Sequence, residues 1–318
     1  MPEKPLYWTI RSLLHSGEII PFLGAGTSFG SRDPSKDSWR ELVDPKKGTW
    51  KPRYLPTGSE LAEVLADESE LPGDTLELTA VSQYYRLLRG QVPLKNRLHE
   101  IFTFMQEPGA IHRYLAQASK DAPQFIVTTN YDDLIERAFD EINQPYDTVV
   151  HVTDSTATGE ILWRPHKGPP QELLSKDLLV DLSKQSVIYK IHGAIDREMR
   201  TRGQYVITED DYVEFLVRMT RNSAIPNVFA ELFQTRPFLF LGYSLSDWNL
   251  RLVLDRIEKE LRRPGDITSY AIETRSKPLE KKLWERRDVI IYDEITIDEF
   301  VTNLSAAKPP ARRKRGSK

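Results

Sequence analysis

The chain has 318 residues, 39% of them hydrophobic and 29% charged, and a formal net charge of −3. That balance belongs to a globular chain long enough for one large domain, or for a domain with a big insertion, and it argues against disorder and against a general nucleic-acid-binding surface. With no cysteine, disulfides and thiolate zinc sites are excluded.

Ile19–Leu23 is a near-continuous apolar run that breaks into Gly24-Ala25-Gly26-Thr27-Ser28. Residues of roughly 31–120 behave differently: a Pro-containing patch at Pro45–Pro56 precedes long helical patterns over Leu76–Arg89 and Val92–Met105. No good strand is expected there, so the segment reads as a mostly helical insertion after the first βα turn. Further strand candidates follow at Gln124–Thr128, Val187–Ile191, Pro237–Leu241, Ser269–Ile272 and Val289–Tyr292. Most are apolar throughout, as expected where both faces of a parallel sheet are covered. Leu134, Ile135, Ala138 and Phe139 share one helix face after the second strand, and Leu250, Val253, Leu254, Ile257 and Leu261 do so after the fourth. Thr153–Pro170 is irregular and reads as a short hairpin and loop. The alternation predicts an open, mostly parallel α/β sheet.

The expected organisation is one domain over 1–300 and a basic, solvated tail over 301–318. The last eleven residues, KPPARRKRGSK, carry six Lys or Arg and no acid. Anionic-partner binding by that tail is the alternative. Met1 is followed by Pro, Glu and Lys rather than by an apolar segment, and no apolar run approaches the about eighteen residues of a membrane span. A cytoplasmic location with no membrane partner is the expectation.

Ligands of open α/β sheets sit beyond the carboxyl ends of the strands. There this chain puts GAGTS, TTNYDD, IHG and LGYSLSD, each after an apolar run. Any one could be a capped turn; together they point to one site. Gly24 and Gly26 allow backbone N–H groups to approach an anion, and Thr27 and Ser28 can donate to a phosphate or cap a helix. The spacing is not that of a dinucleotide dehydrogenase: the third glycine of G-x-G-x-x-G would fall at Phe29, and no acidic residue ends an adjacent strand about twenty residues on. Asn130 and Asp132 follow a strand and precede a helix, where Asp133 reads as the N-cap. His192 closes the apolar run VIYKI at the mouth of the sheet, where a titration near neutrality suits acid–base work. The other histidines, His15, His99, His112, His151 and His166, lie in helical or loop contexts without metal-ligand spacing and read as structural or surface residues. Gly242 permits close backbone approach, Ser244 offers a hydroxyl, and Ser246 or Asp247 caps a helix from Trp248, with ligand contact open for Asp247.

GAGTS, TTNYD, IHG and GYSLSD, in this order and with a helical insertion after the first, resemble the sirtuin-like family, in particular the bacterial sirtuin-like domains of antiphage defence systems. The resemblance spans Ile19 to Tyr292 and implies a Rossmann-like sheet. It implies that Gly24, Ala25, Gly26, Thr27 and Ser28 hold the pyrophosphate of NAD. Asn130 and Asp132 would then surround the nicotinamide and its ribose, Asn130 and His192 would be catalytic, and Gly242 and Ser244 would lie near the adenosine ribose, with Thr129 and Asp247 as further NAD contacts and Glu273 bordering the adenine. The four-cysteine zinc module usual in protein-deacylating sirtuins cannot exist in this chain. Cleavage of NAD itself, to nicotinamide and ADP-ribose or a cyclised product, is therefore favoured over deacylation, with no metal. Such an activity implies gating, by homo-oligomerisation or by a partner such as an ATPase, an Argonaute-like protein or a cyclic-nucleotide sensor. Alternatives are an NAD- or ADP-ribose-sensing module without turnover, and a metal-free ADP-ribosyl transferase or deacylase.

Overall fold

The computed structural model describes residues 6–30, 32–33, 36–44, 49–71, 77–153, 160–198, 203–220, 225–243, 267–274 and 278–309. In chain order its strands are β1 (Ile20–Leu23), β2 (Arg40–Asp44), β3 (Thr49–Pro52), β4 (Phe125–Thr128), β5 (Tyr146–His151), β6 (Ile161–Arg164), β7 (Gln171–Leu173), β8 (Ser186–Lys190), β9 (Gly193–Ala194), β10 (Gln204–Tyr205), β11 (Phe238–Leu241), β12 (Ser269–Ile272) and β13 (Val289–Tyr292). Its helices are α1 (Tyr7–His15), α2 (Gly58–Ser69), α3 (Leu78–Arg89), α4 (Gln91–Phe102), α5 (Ala110–Ala118), α6 (Leu134–Glu141), α7 (Glu209–Thr220), α8 (Asn227–Thr235), α9 (Pro278–Glu285) and α10 (Ile297–Ala306).

All six apolar runs become strands of one 9-stranded sheet, ordered β13-β12-β11-β1-β4-β8-β5-β6-β7. From β13 through β5 every neighbouring pair is parallel, and β6 and β7 add antiparallel edges. The strands are apolar on both sides because helices cover both. Ile20, Phe22, Phe125, Val127, Tyr189 and Phe238 pack with Phe215 of α7, Phe229 and Phe233 of α8 and Trp284 of α9. Their alternating neighbours Leu23, Ile126, Ile188 and Leu239 pack with Leu14 of α1, Leu115 of α5, Ile135 and Phe139 of α6 and Phe300 of α10.

Three expectations need correction. The insertion is not strandless: β2 and β3 form an antiparallel hairpin. Its order comes from aromatic and cationic contacts rather than from an apolar stripe. Trp50 packs edge-on against Trp39 at 4.9 Å, and the Arg97 guanidinium lies 4.5 Å from the Trp50 ring. Next, β5 was not among the strand candidates, and the stretch read as a short hairpin and loop holds β6, which pairs antiparallel with β5 and β7. Asp147 is satisfied inside, accepting from Trp163 Nε1 at 3.0 Å and His166 N at 2.8 Å. Finally, the domain does not stop at residue 300. Helix α10 continues to Ala306 and buries Val301 and Leu304, so the packed core extends past residue 300.

The insertion has a core of its own, built from Trp39, Leu61, Leu65, Val81, Leu98 and Ile101, and it rests on Leu134, Ile195 and Tyr205 of the α/β body. Among the described residues no helix is long and apolar enough to cross a membrane.

Candidate active site

The site begins with register. Leu23 pairs with Leu241 on one side and with Thr128 on the other, and Thr128 pairs with Lys190. The four singled-out segments therefore leave four adjacent parallel strands at the same rung. Gly242, Gly24, Thr129 and Ile191 are the next residues in line.

The glycines are required by an interlock between two of these segments. Gly24 N donates to Leu241 O and Gly26 N to Gly242 O, both at 2.9 Å. Gly242 has φ +69, and a Cβ there would stand 2.4 Å from Thr27 N; one on Gly26 would stand 2.7 Å from Gly242 Cα. Only two bare Cα atoms let the β1 and β11 loops touch. Gly242→Ala is expected to cost more than the about 1–2 kcal/mol of a left-handed residue, because backbone must also move. Urea unfolding checks this; an unchanged midpoint would contradict it.

Asn130 ties the first loop to the second. Its Nδ2 lies 3.0 Å from Gly24 O, 3.2 Å from Thr27 Oγ1 and 3.0 Å from Ser28 Oγ. Its backbone N donates to Thr128 Oγ1 at 3.0 Å. Asn130 is half-buried, and among the described residues no donor reaches its Oδ1. Thr129 is fixed from the β11 side, accepting from Tyr243 OH at 2.6 Å.

Thr27 and Ser28 are not where phosphate donors would be. Both are 3% exposed. Thr27 Oγ1 donates to Gly24 O at 2.7 Å and Ser28 Oγ to Asp132 Oδ2 at 2.8 Å. Their hydroxyls brace the loop, which leaves the backbone of exposed Ala25 and half-exposed Gly26 as its outward face. Asp132 is likewise turned inward: its Oδ1 caps α6 by accepting from Leu134 N at 3.1 Å. Asp133 occupies the N-cap position but makes no cap bond; its carboxylate pairs with Arg197. Ser244, Ser246 and Asp247, with the helical pattern from Leu250 to Leu261, lie outside the described residues.

Under the loop sits a charge cluster. Lys190 Nζ, buried, donates to Asp132 O and, at 2.9 Å, to Glu136 Oε1. Burial pushes the Asp132 and Glu136 carboxyls up, and Lys190 opposes it in both. A lysine inside the apolar run VIYKI was the sequence signal for this cluster, because a charge there must be paired.

His192 leaves β8 almost fully buried, at 6% exposure. Tyr212 and Phe215, one turn apart on α7, meet its ring edge-on, each with centroids at 5.4 Å. Burial lowers its pKa to about 4. The imidazole is therefore neutral at pH 7, not poised near neutrality as its position in sequence predicted. His151, expected in a loop or helix, ends β5 and is 1% exposed.

The insertion reaches the site through Gln106. Its Nε2 donates to Ser28 O, its Oε1 accepts from Leu55 N at 3.0 Å, and its carbonyl accepts from Arg137. Glu273 directly follows β12, two strands from β1, with its N donating to Tyr292 O at 3.1 Å. A cavity of about 880 Å³ beside β13, lined by Tyr7, Lys281, Tyr292 and Glu299 among others, shares no residue with this cluster. Among the described residues no group of three or more His, Cys, Asp or Glu could hold a metal ion.

A mostly parallel sheet with a glycine loop, an asparagine and a histidine at adjacent strand ends has the open α/β architecture in which ligands sit beyond the carboxyl ends of the strands. Residues 124–292, more than half of the 318, match the SIR2-like domain, and the chain belongs to that family. It is 26% identical to NAD(+) hydrolase ThsA of Cytobacillus dafuensis over 253 residues, covering 79% of this chain and 40% of that protein. NAD(+) hydrolase ThsA of Acinetobacter baumannii (strain 532279) is 27% identical over 257 residues, covering 80% and 42%. Defense-associated sirtuin 2 of Bacillus subtilis is 21% identical over 294 residues, covering 89% and 24%. The chain thus spans less than half the length of these relatives.

Proposed function

We propose that the protein is an NAD glycohydrolase that acts in antiphage defence by depleting NAD. The observation that carries this reading is the pairing of Thr128 with Lys190, which sets Asn130 and His192 each two residues past one rung, beside the Gly24–Gly26 loop. The names of the relatives, NAD(+) hydrolase and defense-associated sirtuin, support the substrate and the setting.

In this reaction the bond between ribose C1′ and the nicotinamide nitrogen breaks. Its electron pair returns to the ring, which leaves neutral, and positive charge develops on the ribose. Water adds to C1′ and loses a proton, giving ADP-ribose, nicotinamide and H⁺. Asn130 Oδ1 presents the negative end of a fixed dipole to the ribose or to the attacking water. Its amide is held by three acceptors, so it need not reorganise as charge develops. His192 takes the proton. Water bonded to a cationic sugar carbon is a strong acid, so a base with a pKa of about 4 suffices. The backbone around Ala25 and Gly26 receives the pyrophosphate, while Thr27, Ser28 and Asp132 shape that loop from behind. Gly242 and Ser244 keep the proposed adenosine-ribose role, and Asp247 that of a further NAD contact.

His192 must be neutral to accept a proton, so kcat/KM is expected to hold on the acid side until the pH approaches about 4. An acid limb centred on the ordinary histidine value of 6.5 would contradict the buried base. The leaving group is already cationic in the substrate, so NAD cleavage should persist in EDTA. Incubating the purified protein with NAD, with and without the product of its genomic neighbour, and identifying products tests the reading. Tight binding without nicotinamide release would favour a sensing module.

Unchecked NAD loss harms the host, so the activity is gated. Self-association through the insertion, giving a homo-oligomer, and a partner protein such as an ATPase, an Argonaute-like protein or a nucleotide sensor are the proposed gates. A cytoplasmic site of action follows from the substrate. Sedimentation showing a fully active monomer at every concentration would remove the first gate.

A further inference from the structure

His151 is a buried titratable group to which the proposed mechanism gives no step. β5 runs beside β8 with Val150 opposite Lys190, so His151 ends its strand next to the segment that carries His192. His151 is 1% exposed, and its Nδ1 is buried without a hydrogen-bond partner among the described residues. What the ring does contact is Phe215, edge-on, with centroids at 5.2 Å and planes at 84°. Phe215, itself 2% exposed, meets His192 at 5.4 Å and 82°. One phenyl ring therefore lies between two imidazoles.

A functional histidine is ordinarily oriented by a hydrogen bond to its second nitrogen. Among the described residues neither ring nitrogen of His192 has such a partner. Its orientation rests on ring contacts with Tyr212 and Phe215. Phe215 can hold His192 only if it is itself held, and His151 packs against it. We propose that His151 is a positioning residue for His192, acting through the ring of Phe215. Burial and the Arg218 guanidinium lower the His151 pKa to about 3, so the contact is between neutral rings across the physiological range. Edge-to-face pairs of this kind fix relative ring orientation beyond simple area burial. The inference rests on reading His192 as the residue that touches the reacting atoms, but its test does not depend on turnover.

The test uses the full chain with labelled histidine rings. The carbon-bound ring protons of His192, assigned by comparison with His192→Gln, are expected to be displaced by the ring currents of Phe215 and Tyr212. His151→Leu should return them towards the values of a free imidazole. It should also lower kcat by about 10-fold to 100-fold, the penalty of a small misplacement, with NAD affinity unchanged. His151→Phe, which keeps an aromatic edge against Phe215, should preserve both the resonances and kcat. Unmoved His192 resonances in a folded His151→Leu variant overturn the proposal, as does a His151→Phe variant that behaves like the leucine one. If His151→Leu does not fold, His151→Met decides by the same measurement: displaced His192 resonances support the proposal and unmoved ones refute it. A parent protein that never cleaves NAD would defeat the hydrolase reading while leaving the resonance result to stand by itself.

Discussion

Asn130→Ala and His192→Ala are each expected to remove most NAD cleavage while the protein stays folded. The loss from either should be large because both act on one transition state. A fixed dipole at developing charge is commonly worth about 10²–10³ in rate, and a positioned base about 10²–10⁴. The structural cost is smaller. Removing the Asn130 amide takes a donor from Gly24 O, Thr27 Oγ1 and Ser28 Oγ in a half-buried place, about 1–3 kcal/mol. His192 makes ring contacts but no hydrogen bond to the described residues, so its truncation loses packing alone. Both costs fit within the about 5–15 kcal/mol of a typical domain. Groups that act as a unit are non-additive, so the double variant should be little worse than the worse single one. The checks are NAD loss and thermal melting under activating conditions. A folded single variant with near-parental turnover would dismiss the pair.

The sheet was legible where its physics was simple. Runs such as FIV and FLFL are apolar because both faces are covered, and short apolar runs bounded by turn residues fit buried parallel strands. β5 was hidden because YDTVVH carries Asp147 and Thr148, whose partners on β6 and beyond are far away in sequence. The β2–β3 hairpin was hidden because Leu42 and Val43 are both 62% exposed, so no alternation marks the strand. In the candidate site, positions were readable but directions were not. Gly24, Asn130 and His192 could be placed at strand ends from sequence. That Thr27, Ser28 and Asp132 turn inward depends on contacts spanning about a hundred residues, such as Ser28 to Asp132. The low pKa of His192 likewise comes from burial against α7, which no local pattern announces.

Lys190→Met is expected to destabilise the protein by about 3–5 kcal/mol, the usual result of removing one partner from a buried ion pair. Methionine fills much of the stem's volume but leaves Asp132 O and Glu136 Oε1 without their donor. Glu136 Oε2 is already buried without a partner among the described residues, so no second hydrogen bond compensates. The loss should depend on pH, and its sign follows from the carboxyl shifts. Burial raises the folded-state pKa of Glu136 above the ordinary 4.5 and that of Asp132 above 3.8. A raised pKa means that the folded state holds its proton more tightly than the unfolded chain does. The stabilising contribution is therefore full below the unfolded value and lost as pH rises through the folded one. Lys190 holds both pKa values down, so its removal raises them further and moves the upper end of that window towards neutrality. The deficit of Lys190→Met against the parent should be largest near pH 8 and shrink on acidification through the raised values, because a protonated Glu136 no longer needs a cation. NAD affinity should fall as well, since Asp132 holds Ser28 and caps α6. Urea unfolding of both proteins across that pH range measures the difference directly. A deficit that stays constant, or grows as the pH is lowered, would mean that Lys190 does not stabilise these buried carboxylates.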